Sequence, residues 1–376
     1  MMENPEIQKI TNDIEDKLLE IISLQKKKNE LTGLGVKRYA VLPILDHESY
    51  EFYLRQLNIL WTSAEINFVA DIKDYDTAKE NIRHCIDMIL VFFLSGDGII
   101  AENILYRFLT EASSTEEKMF FTIQTHIEVT HAECYGFTAM TFKKNADELA
   151  KLLEEKRKYK SIQMKLDFIE KWMEMKAPRY QRLVAAACTE GIFFCNLFNT
   201  IFWLRSTGKF KNFIFLNELI SRDESIHRDY DSMLVVREIN KILSQFKKGT
   251  KEYDEKYEEI YNNIMQVVLE AVNIEDMCSE DLYSVPLEEL TVESSKIYTR
   301  VITDSLLYQF GLDPIYKLKN PYPWMDDITL EQKSNFYEVS VGSYKKGDLS
   351  KLLDWKSRTG ITHTQTGYED LCSADF

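Results

Sequence analysis

Two four-residue segments pair a carboxylate with an imidazole at one spacing: Glu128-Val129-Thr130-His131 and Glu224-Ser225-Ile226-His227. On a helix, residues three apart are neighbours on one face, so each segment offers two ligands to one metal ion. Glu is abundant in this chain, and two such matches among six His would also suit solvated surface pairs. The carboxylates upstream favour the metal. Asp97 lies 31 residues before Glu128, and Glu190 lies 34 before Glu224. A break falls between the members of each pair: Ser113-Ser114-Thr115, with Glu117 three after Ser114, reads as a capping box, and Thr207-Gly208 running on to Asn212 reads as a second turn. Folded as hairpins, each pair meets at similar height. Asp97 sits in FFLSGDGII and Glu190 in VAAACTEGIFF, runs so apolar that a lone buried carboxylate there is costly unless a cation or another partner answers it.

Two such segments, joined by two helices that bring one carboxylate each, form the ligand arrangement of ferritin-like di-iron bundles, with Asp97 in place of a Glu. Four carboxylates and two neutral imidazoles suit two iron ions per chain, with manganese in one or both positions as the alternative. Zinc, which favours fewer, tetrahedral ligands, suits the set less well. Tyr135 follows His131 by four residues, so Glu128, His131 and Tyr135 form a single stripe and hold a phenol beside the metals. Phe194 and Phe198 follow Glu190 at 4 and 8, and Ile220 precedes Glu224 by 4, which would surround the phenol with apolar groups. Taken singly, Tyr135, Phe194, Phe198 and Ile220 read first as ordinary core residues, the usual meaning of such a stripe.

The elements that must position these residues are helices. Helical periodicity runs from Glu48 to about Phe310 with few Pro or Gly interruptions and no alternating strand pattern, so the class is all-α. We expect an N-terminal extension over 1–30 with helical character, a ferritin-like helical domain over 31–330, and a polar, Gly-interrupted flexible tail over 331–376. Hydrophobic residues make up 45% and charged residues 28% of the 376, the balance of a globular protein. A net charge of -15 would repel a phosphate backbone, which argues against nucleic acid or an anionic membrane as partner. The most apolar run, Gly191 to Leu204, falls short of the roughly 20 residues that cross a bilayer and reads as a buried core helix. Six Cys without a CxxC pair suit a reducing, cytoplasmic compartment. The first residues, MMENPEIQKITNDIEDKLLE, carry no visible targeting signal.

With those residues in place, WTSAEI, GDGIIAEN, EVTHAECY, TEGIFF and NELISRDESIH resemble the small subunit of class I ribonucleotide reductase in its eukaryotic and viral branch, over about Tyr39 to Phe376. The resemblance implies a ferritin-like bundle in which Asp97, Glu128 and His131 bind one iron, Glu190, Glu224 and His227 bind the other, and Tyr135 is the stable radical. It further implies that Trp61, Asp223 and His131 form a hydrogen-bonded route for electrons and protons. By the same resemblance Tyr344 relays the radical between subunits, and Ala374, Asp375 and Phe376 dock on the large subunit. The activity implied is that of ribonucleoside-diphosphate reductase, a thioredoxin- or glutaredoxin-dependent holoenzyme active only with its large subunit, the small subunit being a homodimer.

Asn67 stands where many relatives carry Asp, Ser373 replaces a common Asp, and NPYPWM differs from the usual NPFDFM. None of these removes a ligand or Tyr135. The rivals are a di-iron oxidase or desaturase with its own substrate, a ferritin-like iron store, and a structural partner of another radical-bearing subunit. The SADF terminus and Tyr344 count against the first, the chain length and Trp61 against the second, and an intact Tyr135 against the third.

Overall fold

The computed structural model describes residues 5–31, 41–154 and 159–326. Asp46–Ser343 forms one compact unit. Outside that unit the described residues are helix α1 (Pro5–Leu31) and residues 41–45. The expected N-terminal extension is thus helical from Pro5. Tyr344, Ala374, Asp375 and Phe376 lie outside the described residues, as does all of the expected tail.

In the larger unit every regular element is a helix among the described residues, and strand-like pairing is confined to an isolated bridge between Leu287 and Leu290. The chain runs through α2 (His47–Asn58), α3 (Ile72–Asp76) and α4 (Glu80–Asn103), then a π turn at Ile104–Phe108 and α5 (Leu109–Glu111). It continues through α6 (Thr115–Lys143), α7 (Ala146–Glu154), α8 (Lys160–Glu174) and α9 (Arg179–Cys188). A second π turn, Thr189–Phe193, leads into α10 (Phe194–Trp203), followed by α11 (Lys211–Leu243), α12 (Lys251–Leu282) and α13 (Val292–Gln309). The neighbours are α4 with α6, α9 with α11, and α2 with α6, while α12 packs on α8, α9 and α13.

Local chemistry sets the turns where the spacing argument needs them. Ser114 caps α6 by accepting from the Glu117 amide at 3.0 Å, and Glu117 Oε2 in turn accepts from Ser113 N at 2.9 Å. Gly208 takes φ +67 at the break before α11, a left-handed value that costs glycine little. Asp46 caps α2, accepting from Ser49 N at 3.1 Å while Arg237 of α11 reaches its two oxygens at 2.6 and 3.0 Å, which ties α2 to α11.

One length argument needs correction. The apolar run around Gly191 is part of a continuous 29-residue helical stretch, Arg179–Thr207, and with the 32-residue stretch Glu80–Glu111 it is long and apolar enough to cross a membrane. Burial decides the matter instead: 94% of the apolar window of the first, and 61% of the second, is inside the protein. Interruptions such as the π turn hid the true length of the helix from a reading based on its apolar core.

Candidate metal centre

The site lies among α4, α6, the α9–α10 stretch and α11, which contribute Asp97, Glu128 with His131, Glu190, and Glu224 with His227. All six side chains are at most 5% exposed. Single ligand atoms of Glu128, Glu190, Glu224 and His227 lie within 4.8 Å of one another. His227 Nδ1 is 2.9 Å from Glu128 Oε1 and 3.1 Å from Glu224 Oε2. On the other side His131 Nδ1 is 3.0 Å from Glu224 Oε1 and 3.7 Å from Glu128 Oε2. Both imidazoles therefore aim the same ring nitrogen at the same two carboxylates, which makes Glu128 and Glu224 the shared pair.

Buried polar atoms are normally hydrogen-bonded, and several of these are not. Both oxygens of Asp97, Oε2 of Glu128 and Oε2 of Glu190 make no hydrogen bond, while Glu128 Oε1 and Glu224 Oε1 meet only the imidazole nitrogens. More acceptor oxygens converge than two imidazoles can satisfy, and divalent cations that take carboxylate and imidazole together fit that donor set. The protein's own charges show the same demand. Burial drives the carboxyls of Asp97 and Glu190 well above their usual range, and neighbouring carboxylates, Glu128 and Glu224, push the same way. Burial opposes the charged form of each His, yet Glu224 with Asp223 for His131, and Glu128 for His227, outweigh it, bringing His227 to about 10. Burial also opposes ionisation of Glu224, but His131 and His227 prevail and hold it below the carboxylate range.

Behind His131 stands a fixed anion. Asp223 Oδ2 lies 3.1 Å from His131 Nε2 and accepts from Trp61 Nε1 at 2.7 Å, while Oδ1 accepts from Gln56 Nε2 at 2.7 Å. A carboxylate at Nε2 keeps the proton there and leaves the Nδ1 lone pair facing the site. Trp61, expected beside Asp223 and His131, is 4% exposed and its ring centroid is 6.0 Å from that of His131. His227 has no equivalent: its Nε2 makes no hydrogen bond.

Tyr135 is fully buried, and burial with the charges of Asp97 and Glu224 raises its phenol well above the usual range. Its hydroxyl donates to Asn217 Oδ1 at 2.7 Å, and Asn217 Nδ2 donates to the Phe213 carbonyl at 2.7 Å. The ring stacked on Tyr135 is Phe93, at 4.4 Å and 1°. Phe194 and Phe198, expected around the phenol, pack on Phe93 at 5.1 and 5.8 Å, and Ile220 is fully buried on α11. Sequence reading missed Phe93, Asn217 and Gln56. Phe93 precedes Asp97 by four, and Asn217, Ile220, Glu224 and His227 form one stripe, so two of the three carried a helical signal. Gln56 carried none. A cavity of about 20 Å³, lined in part by Gln124, Trp172, Arg182 and Asp231, reaches Glu190 and is large enough for a water molecule.

Comparison with known proteins identifies the family and the fold. The model of the family described as ribonucleotide reductase, small chain, matches residues 38–321. The chain is 32% identical to ribonucleoside-diphosphate reductase subunit M2 of Danio rerio over 319 residues, 84% of this chain and 78% of that one. It is also 32% identical to the small chain of Vaccinia virus (strain Ankara), over 82% of this chain and 92% of the relative. Its fold is similar to that of the ribonucleotide reductase Rnr4 homodimer of Saccharomyces cerevisiae, with a TM-score of 0.65 at 23% identity, covering 87% of this chain and 99% of that one. The dimanganese(II)-NrdF of Streptococcus sanguinis gives 0.66 at 17% identity, over 78% and 99%.

Proposed function

The chain belongs to the ribonucleotide reductase small-chain family, and from that premise we propose that Asp97, Glu128 and His131 hold one iron ion, that Glu190, Glu224 and His227 hold a second, and that Tyr135 is the residue they oxidise. The protein is the small subunit of a ribonucleoside-diphosphate reductase, the part of the holoenzyme that supplies a tyrosyl radical for the reduction of ribonucleoside diphosphates on the large subunit. The observation that carries the residue assignment is the set of buried carboxylates gathered around two imidazoles, with more acceptor oxygens than donors. Iron is our reading of the metal, and manganese in one or both positions suits the same donors.

When bound, the two ions with O2 supply the one-electron oxidation of Tyr135. The residues around them set its terms. Glu128 and Glu224 each face both imidazoles, so either carboxylate would be available to both ions. Asp223 keeps the proton of His131 on Nε2, so that the Nδ1 lone pair would be free for a metal ion. Asn217 orients the phenol but cannot keep its proton, since a neutral amide oxygen is too weak a base. Phe93 covers the face of the ring and keeps water from it. Trp61, through Asp223 and His131, is the entry for the additional electron and the exit for the radical, with Tyr344 as the next relay. Ala374, Asp375 and Phe376 dock on the large subunit.

The small subunit works as a homodimer in this reading. Val129, Phe137 and Met140 are 58%, 42% and 61% exposed on the side of α6 turned away from Glu128, His131 and Tyr135, and a second copy would cover them. The compartment is cytoplasmic: Cys85, Cys134, Cys188, Cys195 and Cys278 are buried and unpaired, as a reducing environment keeps them.

The test is reconstitution with ferrous iron and O2, with metal content and low-temperature EPR recorded on the wild type and Tyr135→Phe. We expect about two irons per chain and a radical signal lost in the variant. Two irons without a radical would favour an oxidase or a supporting subunit, and failure to bind metal would remove all six ligands from the account.

A further inference from the structure

A second ionic cluster lies in the core between α8, α10, α12 and α13. Lys165 and Glu275 are fully buried, with Lys165 Nζ 2.6 Å from Glu275 Oε2. Glu275 Oε1 accepts from Asn196 Nδ2 at 2.8 Å, and Asn196 also reaches Thr299 Oγ1 at 3.0 Å. A buried ion pair is no more stabilising than apolar residues of the same volume, so its presence calls for a geometric reason. Lys165 supplies one, because its ammonium also donates to the backbone carbonyl of Phe193 at 2.6 Å.

Phe193 is the last residue of the π turn Thr189–Phe193, and Glu190 is its second. A π turn inserts a residue into the α-helical ladder, so its backbone pairing is out of step with the flanking helix and needs outside support to persist. The ammonium gives that support from one side and also lies 5.0 and 5.4 Å from the ring centroids of Phe92 and Phe193. On another side the turn is tightly apposed: a methyl group on Gly191 would meet Cδ of Arg228 at 3.1 Å. A return to the α register would displace the ladder by one residue, and each residue of displacement rotates a side chain by roughly 100° about the axis. Glu190 cannot face Glu128 and Glu224 in both registers.

We propose that Lys165, locked by Glu275, is a positioning residue for the second metal position: it fixes the π turn and, through it, the carboxylate of Glu190. This rests on the reading of Glu190 as a ligand, and the experiment separates the two. Mn(II) alone is titrated into the full-length chain, and free Mn(II) is followed by EPR to obtain the number and affinity of sites. Wild type should bind two, and Glu190→Ala should weaken one of them. The double variant Lys165→Met/Glu275→Leu removes both charges together and so keeps the core paired. It should leave one site at wild-type affinity and weaken the other by about 10–100-fold, the usual effect of losing a support behind a metal ligand. Glu275→Gln, which leaves the ammonium on the Phe193 carbonyl, should weaken that site less than any variant of Lys165. A stability control, Asp304→Asn, loosens the acceptor of the Ile315, Tyr316 and Lys317 amides and should change neither site. Two unchanged sites in Glu190→Ala would overturn the ligand assignment. One weakened site there but two unchanged sites in the double variant would overturn the positioning role alone, as would equal weakening of both sites or an equal effect of Glu275→Gln.

Discussion

The α4–α6–α11 cluster and the Lys165–Glu275 cluster are both fully buried and both charged, yet their polar atoms are treated in opposite ways. Around Lys165 the charges meet each other, Asn196 bridges to Thr299, and Ser279 and Ser295 pair at 2.8 Å, with Asn196 Oδ1 left over. Around Glu128 and Glu224 four carboxylates crowd two imidazoles, and Asp97, Glu128 Oε2 and Glu190 Oε2 are left without a donor. Burial of charge alone is therefore a poor sign of a site. What distinguishes the site is an excess of converging acceptors over protein donors, which the fold tolerates only for something that arrives from outside.

The contrast can be broken in three places. The largest effect is expected from Lys165→Met alone, which leaves Glu275 buried without its counter-charge and should lower unfolding stability by about 3–5 kcal/mol in urea, whereas Lys165→Met/Glu275→Leu should recover most of it. Equal losses in the single and double variants would show that the pair is not acting as a unit. Next, Asn217→Leu leaves the buried Tyr135 hydroxyl without an acceptor and should lower stability by about 1–3 kcal/mol. Metal content should hold while the hyperfine pattern of the Tyr135 radical changes; an identical EPR spectrum would dismiss Asn217 as the phenol's partner in the oxidised protein. The smallest effect has the opposite sign. Glu190→Gln removes one of the crowded carboxyls and should raise the stability of the chelator-treated protein by roughly 0.5–2 kcal/mol, while metal bound per chain falls. A loss of stability in chelator would mean that Glu190 serves the fold and not a ligand set.

Much of this was legible because helical spacing is a local rule. The ExxH segments, the capping box at Ser114 and the turn at Gly208 each follow from residues within a few positions, and the resulting helices bring Glu190 together with Glu128, Glu224 and His227 and set Asp97 within the electrostatic reach of Glu128. The Tyr135–Asn217 and Gln56–Asp223 hydrogen bonds were not legible, since their partners are 82 and 167 residues apart and depend on which helix faces which. Lys165 escaped for a further reason: a lysine in an amphipathic helix reads as solvent-facing, and its burial is dictated by a glutamate on α12 and a carbonyl in a π turn, neither of which has a mark in the α8 sequence. The π turns themselves hide inside apolar runs, which is how the Arg179–Thr207 helix came to look short.

The sealed setting of Tyr135 has a kinetic consequence. Its ring has no exposed surface and lies face to face with Phe93, so no soluble reductant can touch the phenol, in the oxidised form proposed for it, while the α4–α6–α11 core is closed. Direct quenching must await a local opening of those helices, among the rarest fluctuations of a packed core. Once openings become the slow step, adding more reductant no longer hastens the loss. With the Trp61 route idle, the lifetime of the proposed radical then measures how often this part of the molecule breathes, and small reductants or scavengers of different chemistry would meet the same clock.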